Sequence, residues 1–372
     1  MNERNPATDL PLVSLAARWF TDAHPAARTT PLTVTPLDRQ GFSGAPVARV
    51  ICALGSFILK AFAVGTSPER ARWIHALMDH LVAEGVREVP PVCRTPRGDT
   101  LVTDATGRLW EMIQFVPGVA LAAPTPTQAA VAAAAVARLH RAAATLPPAR
   151  PTSVVPTTAV PAAVTRRREQ AQQMLLRPWS ERRRLLDSHA GDQTWLTRWD
   201  RAIDMFAACS GPRGMAHVAA FDAGPLPVQP VVRDLWSDHV LFAPRTERDG
   251  GEEHVAGIVD FHAAAFDTPA TDLARLLGSW WVGGGPAQRA VGWDAALGAY
   301  DRVRRLDDAE RRLVPFLAAT GVVFAIDNWF RWLLEERRSF PAPGAVERRI
   351  DGLLGELPAA LESLAGGNGW PV

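Results

Sequence analysis

Apolar positions fall in short strand-like runs through the first third of the chain and take on a helical period afterwards. Residues 32–37, 46–52 and 56–62 are three such runs, predicting three strands. Residues 68–84 place Trp73, Ile74, Leu77 and Leu81 at the spacing of one helix face, and Gly85 is a plausible stop. Two more strands are predicted at 100–103 and 109–116, joined by a turn at 104–107. The order β-β-β-α-β-β closes at Pro117-Gly118. A short apolar helix pattern, 10–20, precedes it.

Beyond that point the pattern is helical: an alanine-rich segment at 127–146, then 165–188 and 193–209 after a Pro/Thr/Val-rich stretch. Two strand-like pieces, 231–242 and 256–262, flank an exposed loop at 246–254. Helices are predicted at 271–282, 286–302, 307–338 (continuous or broken) and 345–364. The expected fold is α+β. Residues 1–30 form a helical extension, 31–117 a lobe with a five-stranded antiparallel sheet, and 118–372 a mainly helical lobe with one short β-hairpin.

Composition narrows the class. The chain is 47% hydrophobic and 21% charged, with 40 basic and 39 acidic residues. This balance argues against a nucleic-acid coat or a polybasic membrane anchor. Three scattered cysteines give neither a disulfide framework nor zinc spacing, which suits a reducing cytoplasm. The N-terminus does not read as a signal peptide. The most apolar run, 313–326, is short for a bilayer and contains Pro315. The arginine runs at 166–168 and 182–184 read as solvated helix faces.

Thirty-nine of the basic residues are arginine and one is lysine. A site that needs a compact ammonium on a flexible stem, and rejects a planar fork, would keep its lysine. Lys60 lies in the third predicted strand, downstream of a turn containing Gly41, Ser43 and Gly44. Asp234 stands in Arg233-Asp234-Leu-Trp-Ser-Asp-His239, and Asp260 ends the apolar run Gly257-Ile-Val-Asp260. A glycine turn, one cation and two aspartates at strand ends are the parts phosphoryl transfer uses.

These segments, followed in order by Asp267-Thr-Pro-Ala-Thr-Asp272-Leu-Ala-Arg, resemble the aminoglycoside phosphotransferase family, small-molecule kinases of the protein-kinase-like fold. The resemblance covers roughly residues 35–345. It implies a two-lobed ATP-dependent phosphotransferase that moves the γ-phosphoryl group to a hydroxyl of a small molecule. Asp234 would be the catalytic base, and Asp260 the ligand of magnesium, with manganese as the alternative metal. Lys60 would pair with the nucleotide phosphates, and Gly41, Ser43 and Gly44 would cover them. Gln114 and Val116 would offer backbone groups to adenine at the lobe junction. Asp267 and Asp272 would cap the helix starting near 271 and brace the catalytic loop. Trp280, Trp281, Asn328, Trp329, Arg331 and Trp332 lie where the family builds its acceptor pocket, with core packing as the default for most.

Three departures stand out. His239 replaces the expected asparagine, so it binds metal directly, binds it through water, or hydrogen-bonds Asp234. Val232 replaces the histidine that opens the catalytic triplet. The helix glutamate that should orient Lys60 is missing, leaving Glu69 and His75 as competing partners. These departures keep open a second reading, a nucleotide-binding pseudokinase with a regulatory role. Residues 151–230 carry ten arginines against seven acids, a net +3, which disfavours a polycationic acceptor. No nucleic-acid or membrane partner is expected.

Overall fold

The computed structural model describes residues 9–20, 32–37, 45–147, 157–186, 193–243, 253–340 and 342–366. The chain divides into two compact units. One comprises Met1–Gly118 and Ala256–His262; the other comprises Val119–Val255 and Ala263–Val372.

The first unit contains α1 (Asp9–Ala17), β1 (Thr33–Pro36), β2 (Val47–Cys52), β3 (Gly55–Ala61), α2 (Pro68–Ala83), β4 (Val102–Thr103) and β5 (Leu109–Gln114). The strands form one antiparallel sheet in the order β1-β2-β3-β5-β4, as the apolar runs predict. Gly55, at φ +131°, closes the β2–β3 hairpin in a conformation that favours glycine. Helix α2 begins where Ser67 Oγ accepts the Arg70 amide and Pro68 occupies the first turn, and it ends before Gly85 at φ +82°. The β4–β5 turn is organised by Asp104, which accepts the amides of Thr106 and Arg108 and the Trp110 indole N–H. Slight burial would raise the Asp104 pKa, but these bonds outweigh it and hold the carboxyl at about 2.

The core of this unit is Val50, Leu59, Ala61, Trp110 and Met112 from the sheet, joined by Leu15, Ala16 and Trp19 from α1 and the residues after it. The N-terminal helix is thus built into the sheet's own core. Burying each such large side chain is worth roughly 1.5–3 kcal/mol.

The second unit contains β6 (Val119–Ala120), α3 (Pro126–Ala143), β7 (Thr158–Ala159), α4 (Ala162–Leu176), α5 (Trp179–Leu186), α6 (Gln193–Ala208), α7 (Gly211–Ala220), β8 (Leu226–Pro227), β9 (Gln229–Val231) and β10 (Val240–Phe242). Strand β11 (Val255–Ile258) carries the chain into the first unit. Strand β12 (Ala265–Asp267) and helices α8 (Ala270–Ser279), α9 (Pro286–Val303), α10 (Asp308–Phe330) and α11 (Pro343–Gly366) complete the second. The alanine-rich face of α3 packs along α9, while α10 packs against α8 and α11. Within this unit β6 pairs with β10, β7 with β8, and β9 with β12.

Residues 308–335 are long and apolar enough to cross a membrane, yet 78% of their most apolar window is buried inside the fold. The predicted helix 165–188 is broken at Pro178 into α4 and α5. The expected solvated arginine faces are a correction: Arg166 binds Asp267, Arg182 binds Asp327 and Glu335, and Arg183 binds Asp200.

Candidate active site

The predicted strand over 231–242 breaks in the structure. Strand β9 ends at Val231, Arg233 takes φ +67°, residues 237–239 make a 3₁₀ turn, and β10 starts at Val240. Asp234 therefore sits on a turn and not on a hairpin strand. Asp260 is another non-glycine residue of this kind, at φ +66° just after β11. Left-handed backbone is uncommon outside glycine, and only five such residues occur among those described. Two of them are at or beside the two predicted aspartates.

In the first unit, Lys60 Nζ lies 2.6 Å from Asp260 Oδ1, with the lysine side chain 12% exposed. The lysine's carboxylate partner is thus Asp260, and neither expected candidate fills that place. Glu69 lies in the first turn of α2, where its own backbone amide leads in lowering its pKa, followed by Ser67. His75 is buried with both ring nitrogens engaged, Nδ1 with Thr100 Oγ1 at 2.7 Å and Nε2 with Glu111 Oε2 at 2.8 Å.

Glu111 is a candidate site residue that the sequence pattern alone did not single out. It pairs in register with Lys60 across β3 and β5, so the two side chains share a sheet face. It accepts from His75 on one oxygen and from His262 Nε2 on the other, at 2.7 Å. Burial alone would raise its pKa, but His262 first and His75 next drive it far below the usual carboxylate range. His262 in turn stacks on Phe62, with centroids 4.0 Å apart. The signal was present: one acid in the otherwise apolar run Leu109-Trp110-Glu111-Met112-Ile113, and a histidine two residues after Asp260.

At the junction strand, the Gln114 amide donates to the Pro91 carbonyl at 3.0 Å. Gly257 presses on Val116, and a Cβ there would meet Val116 Cγ1 at 2.6 Å. Gly41, Ser43 and Gly44 lie outside the described residues.

In the second unit, Asp272 accepts the amides of Val232 and Arg233 at 2.8 and 2.6 Å and binds His140 Nε2 at 3.0 Å. It braces the turn that carries Asp234 as expected, but it stands inside α8 and does not cap it. Asp267 accepts the Ala163 amide at 3.1 Å, at the start of α4. Asp234 receives Arg275 on Oδ1 at 3.0–3.1 Å, leaving Oδ2 open among the described residues.

His239 has both nitrogens engaged. The Trp236 indole can only donate, so His239 Nε2 accepts from it, at 3.0 Å. Nδ1 therefore carries the proton and donates to the Asp234 carbonyl at 2.7 Å. Of the three roles left open, this geometry is the hydrogen bond to Asp234. The lone pair a metal would need is already taken. Trp280 and Trp281 are buried core residues, and Trp329, Trp332 and Phe340 form an aromatic cluster.

Among the described residues no three His, Cys, Asp or Glu side chains are gathered as a metal cage. Asp260 offers hard oxygens, which fits magnesium, an ion that keeps waters and substrate phosphates as most of its ligands.

The profile of the phosphotransferase enzyme family (APH) matches residues 33–306. Homoserine kinase from Granulibacter bethesdensis is 26% identical over 303 residues, covering 80% of this chain and 79% of that one. Spectinomycin phosphotransferase in complex with ADP and spectinomycin superposes with a TM-score of 0.62 at 13% identity, covering 94% and 97%. Amicoumacin kinase with AMP-PNP and Ca2+ gives 0.57 at 15%, covering 95% and 94%. These structures show the shared protein-kinase-like fold, and the pseudokinase reading finds no support among the relatives. The chain belongs to the phosphotransferase enzyme family, as a small-molecule kinase.

Proposed function

We propose that this kinase phosphorylates a hydroxyl of a small acceptor that is not a polycation, with Asp234 as base and the Lys60–Asp260 pair serving the nucleotide. The observation that carries this reading is the 2.6 Å contact between the chain's single lysine and Asp260. Lys60 is held by its carboxylate partner, which fixes where its ammonium can meet phosphate oxygens. Glu111, across the strand pair, gives that face a fixed negative charge, and its two histidines keep it ionised. Asp260 would hold the metal. When bound, the metal neutralises charge on the phosphates and orients them.

On the other unit, Arg275 fixes one oxygen of Asp234, and the open oxygen accepts the acceptor's proton. His239 supports this by holding the Asp234 carbonyl, so its role is positioning and not metal ligation. Gln114 and Val116 would bound the adenine site through backbone groups, Gln114 through its carbonyl because its N–H is engaged.

The net charge of 151–230 no longer supports the acceptor reading, because several of those arginines are paired within the fold. Support comes instead from homoserine kinase relatives at 25–28% identity, whose acceptor is a small amino acid. Three free cysteines, Cys52, Cys93 and Cys209, are in keeping with a reducing cytoplasm.

The test is ATP-dependent turnover with homoserine and a panel of small alcohols, in magnesium and in manganese. Asp234→Asn is expected to lower kcat about 10²–10⁴-fold while nucleotide affinity stays unchanged. Equal turnover in both proteins would remove Asp234 from the chemistry.

A further inference from the structure

We propose that Arg349, together with Arg275, forms a carboxylate-binding site beside Asp234, so that the acceptor is a small alcohol carrying a carboxylate. The inference rests on Asp234 being the base. It deepens that reading by naming the group that holds the acceptor.

Trp236, two residues after Asp234, is the platform. Arg275 from α8 places its guanidinium carbon 5.6 Å from the Trp236 ring centroid, and Arg349 from α11 places its own at 5.2 Å. Arg275 has a partner, Asp234. Arg349 is half-buried and makes no hydrogen bond or ion pair among the described residues. A guanidinium presents five N–H donors in a plane, and the acceptor that matches two of them at once is a carboxylate or phosphate. Leaving that fork half-buried and unpaired is unfavourable for the free protein.

The electrostatics point the same way. Burial first and Arg275 second push the Arg349 pKa down to about 10, and the opposing pull of Asp238 and Asp234 does not offset them. Arg167 on α4 is likewise lowered to about 10, by burial and then by Arg275 and Arg166; it lies against the Phe324 ring at 5.3 Å. Two guanidiniums, Arg275 and Arg349, thus share the Trp236 ring, and a bound anion would relieve their mutual repulsion. Asp234 and Asp238 act electrostatically on the same guanidinium, so a monoanionic carboxylate suits the site better than a dianionic phosphate. Stacking on Trp236 alone would not require a charged side chain.

Two measurements on the full chain test this. The first is thermal unfolding with ADP, magnesium and either 4-hydroxybutyrate or 1,4-butanediol, which differ in the carboxylate. The acid is expected to raise the wild-type midpoint by about 3 °C, the diol to have no effect, and Arg349→Gln to abolish the shift. Without ligand, the variant should melt at or above the wild-type midpoint; a lower midpoint would mark Arg349 as structural and overturn the proposal. Arg349→Lys, which keeps the charge and loses the fork, is expected to retain only part of the shift.

The second is turnover of homoserine against homoserine amide. Wild type should prefer the acid about 100-fold in kcat/KM, and Arg349→Gln should bring that ratio close to one. Equal protection by acid and diol, or a ratio that survives the substitution, would sink the carboxylate site. Protection by phosphoethanolamine alone would replace it with a phosphate site. If the acid protects wild type but no acceptor is phosphorylated, the carboxylate site stands and the assignment of Asp234 as base fails.

Discussion

The two units treat their charged groups in opposite ways. In the first, every central group has a partner inside the fold: Lys60 has Asp260, and Glu111 has both His75 and His262. In the second, among the described residues, Asp234 keeps one oxygen open and Arg349 keeps its whole fork open. A nucleotide presents the same phosphates in every turnover, so its site can be organised in advance around fixed charges. An acceptor site has to recognise one compound among many. Unpaired donors that only the right ligand satisfies give that discrimination, because the wrong ligand leaves them buried and unmet. The comparison predicts that substitutions in the first unit damage the scaffold and nucleotide use together, whereas substitutions in the second separate acceptor use from stability.

Within the first unit the largest effect should come from Lys60→Arg. Charge is kept, but a planar fork replaces a point charge beside Asp260 in a site only 12% exposed on the lysine side. The expected loss in kcat/KM for ATP is about 100-fold or more, with the acceptor KM little changed. A variant with wild-type ATP kinetics would show that charge alone suffices there, and the pairing with Asp260 would lose its importance.

Next is Glu111→Gln, which should lower unfolding stability by about 3 kcal/mol in denaturant titrations. The folded-state pKa of Glu111 lies far below its ordinary value of 4.5, once His262 and His75 have outweighed burial. A depressed carboxylate contributes stability that is fully present above pH 4.5 and is lost as pH falls through the folded-state value. Wild type should therefore lose stability on acidification below that point, and the Glu111→Gln curve should be flatter there. Parallel curves would mean that Glu111 is not the group that titrates.

The same contrast explains what was legible in the sequence. The sheet of the first unit followed from runs of apolar residues and turn glycines, because local backbone chemistry sets those boundaries. Lys60 stood out because the chain holds no other lysine. Its partner did not, since the pairing with Asp260 joins positions 200 residues apart and no local spacing records it. Glu111 was readable in principle as a lone acid in a buried strand, yet its two histidines come from α2 and from the segment after β11. Arg349 was invisible: one arginine among 39, distinguished only by what it lacks. The arginine runs misled for the same reason, since a run of charge looks solvated until its partners on distant helices are known.

The smallest effect tests the catalytic turn. His239 bridges the Asp234 carbonyl and the Trp236 indole, so it sets the position of the proposed base and of the ring beside Arg275 and Arg349. His239→Asn restores the side chain expected of the family at this position. Its amide can donate to the Asp234 carbonyl but is too short to reach Trp236 as the imidazole does. The expected cost is about 1 kcal/mol or less in kcat/KM for the acceptor, roughly fivefold. Activity as a function of magnesium concentration should not shift, because the imidazole lone pair is engaged by Trp236 and not offered to a metal. If the substitution instead moved the magnesium dependence tenfold, His239 would be a metal ligand, and the hydrogen bond to Trp236 would have to break whenever nucleotide binds.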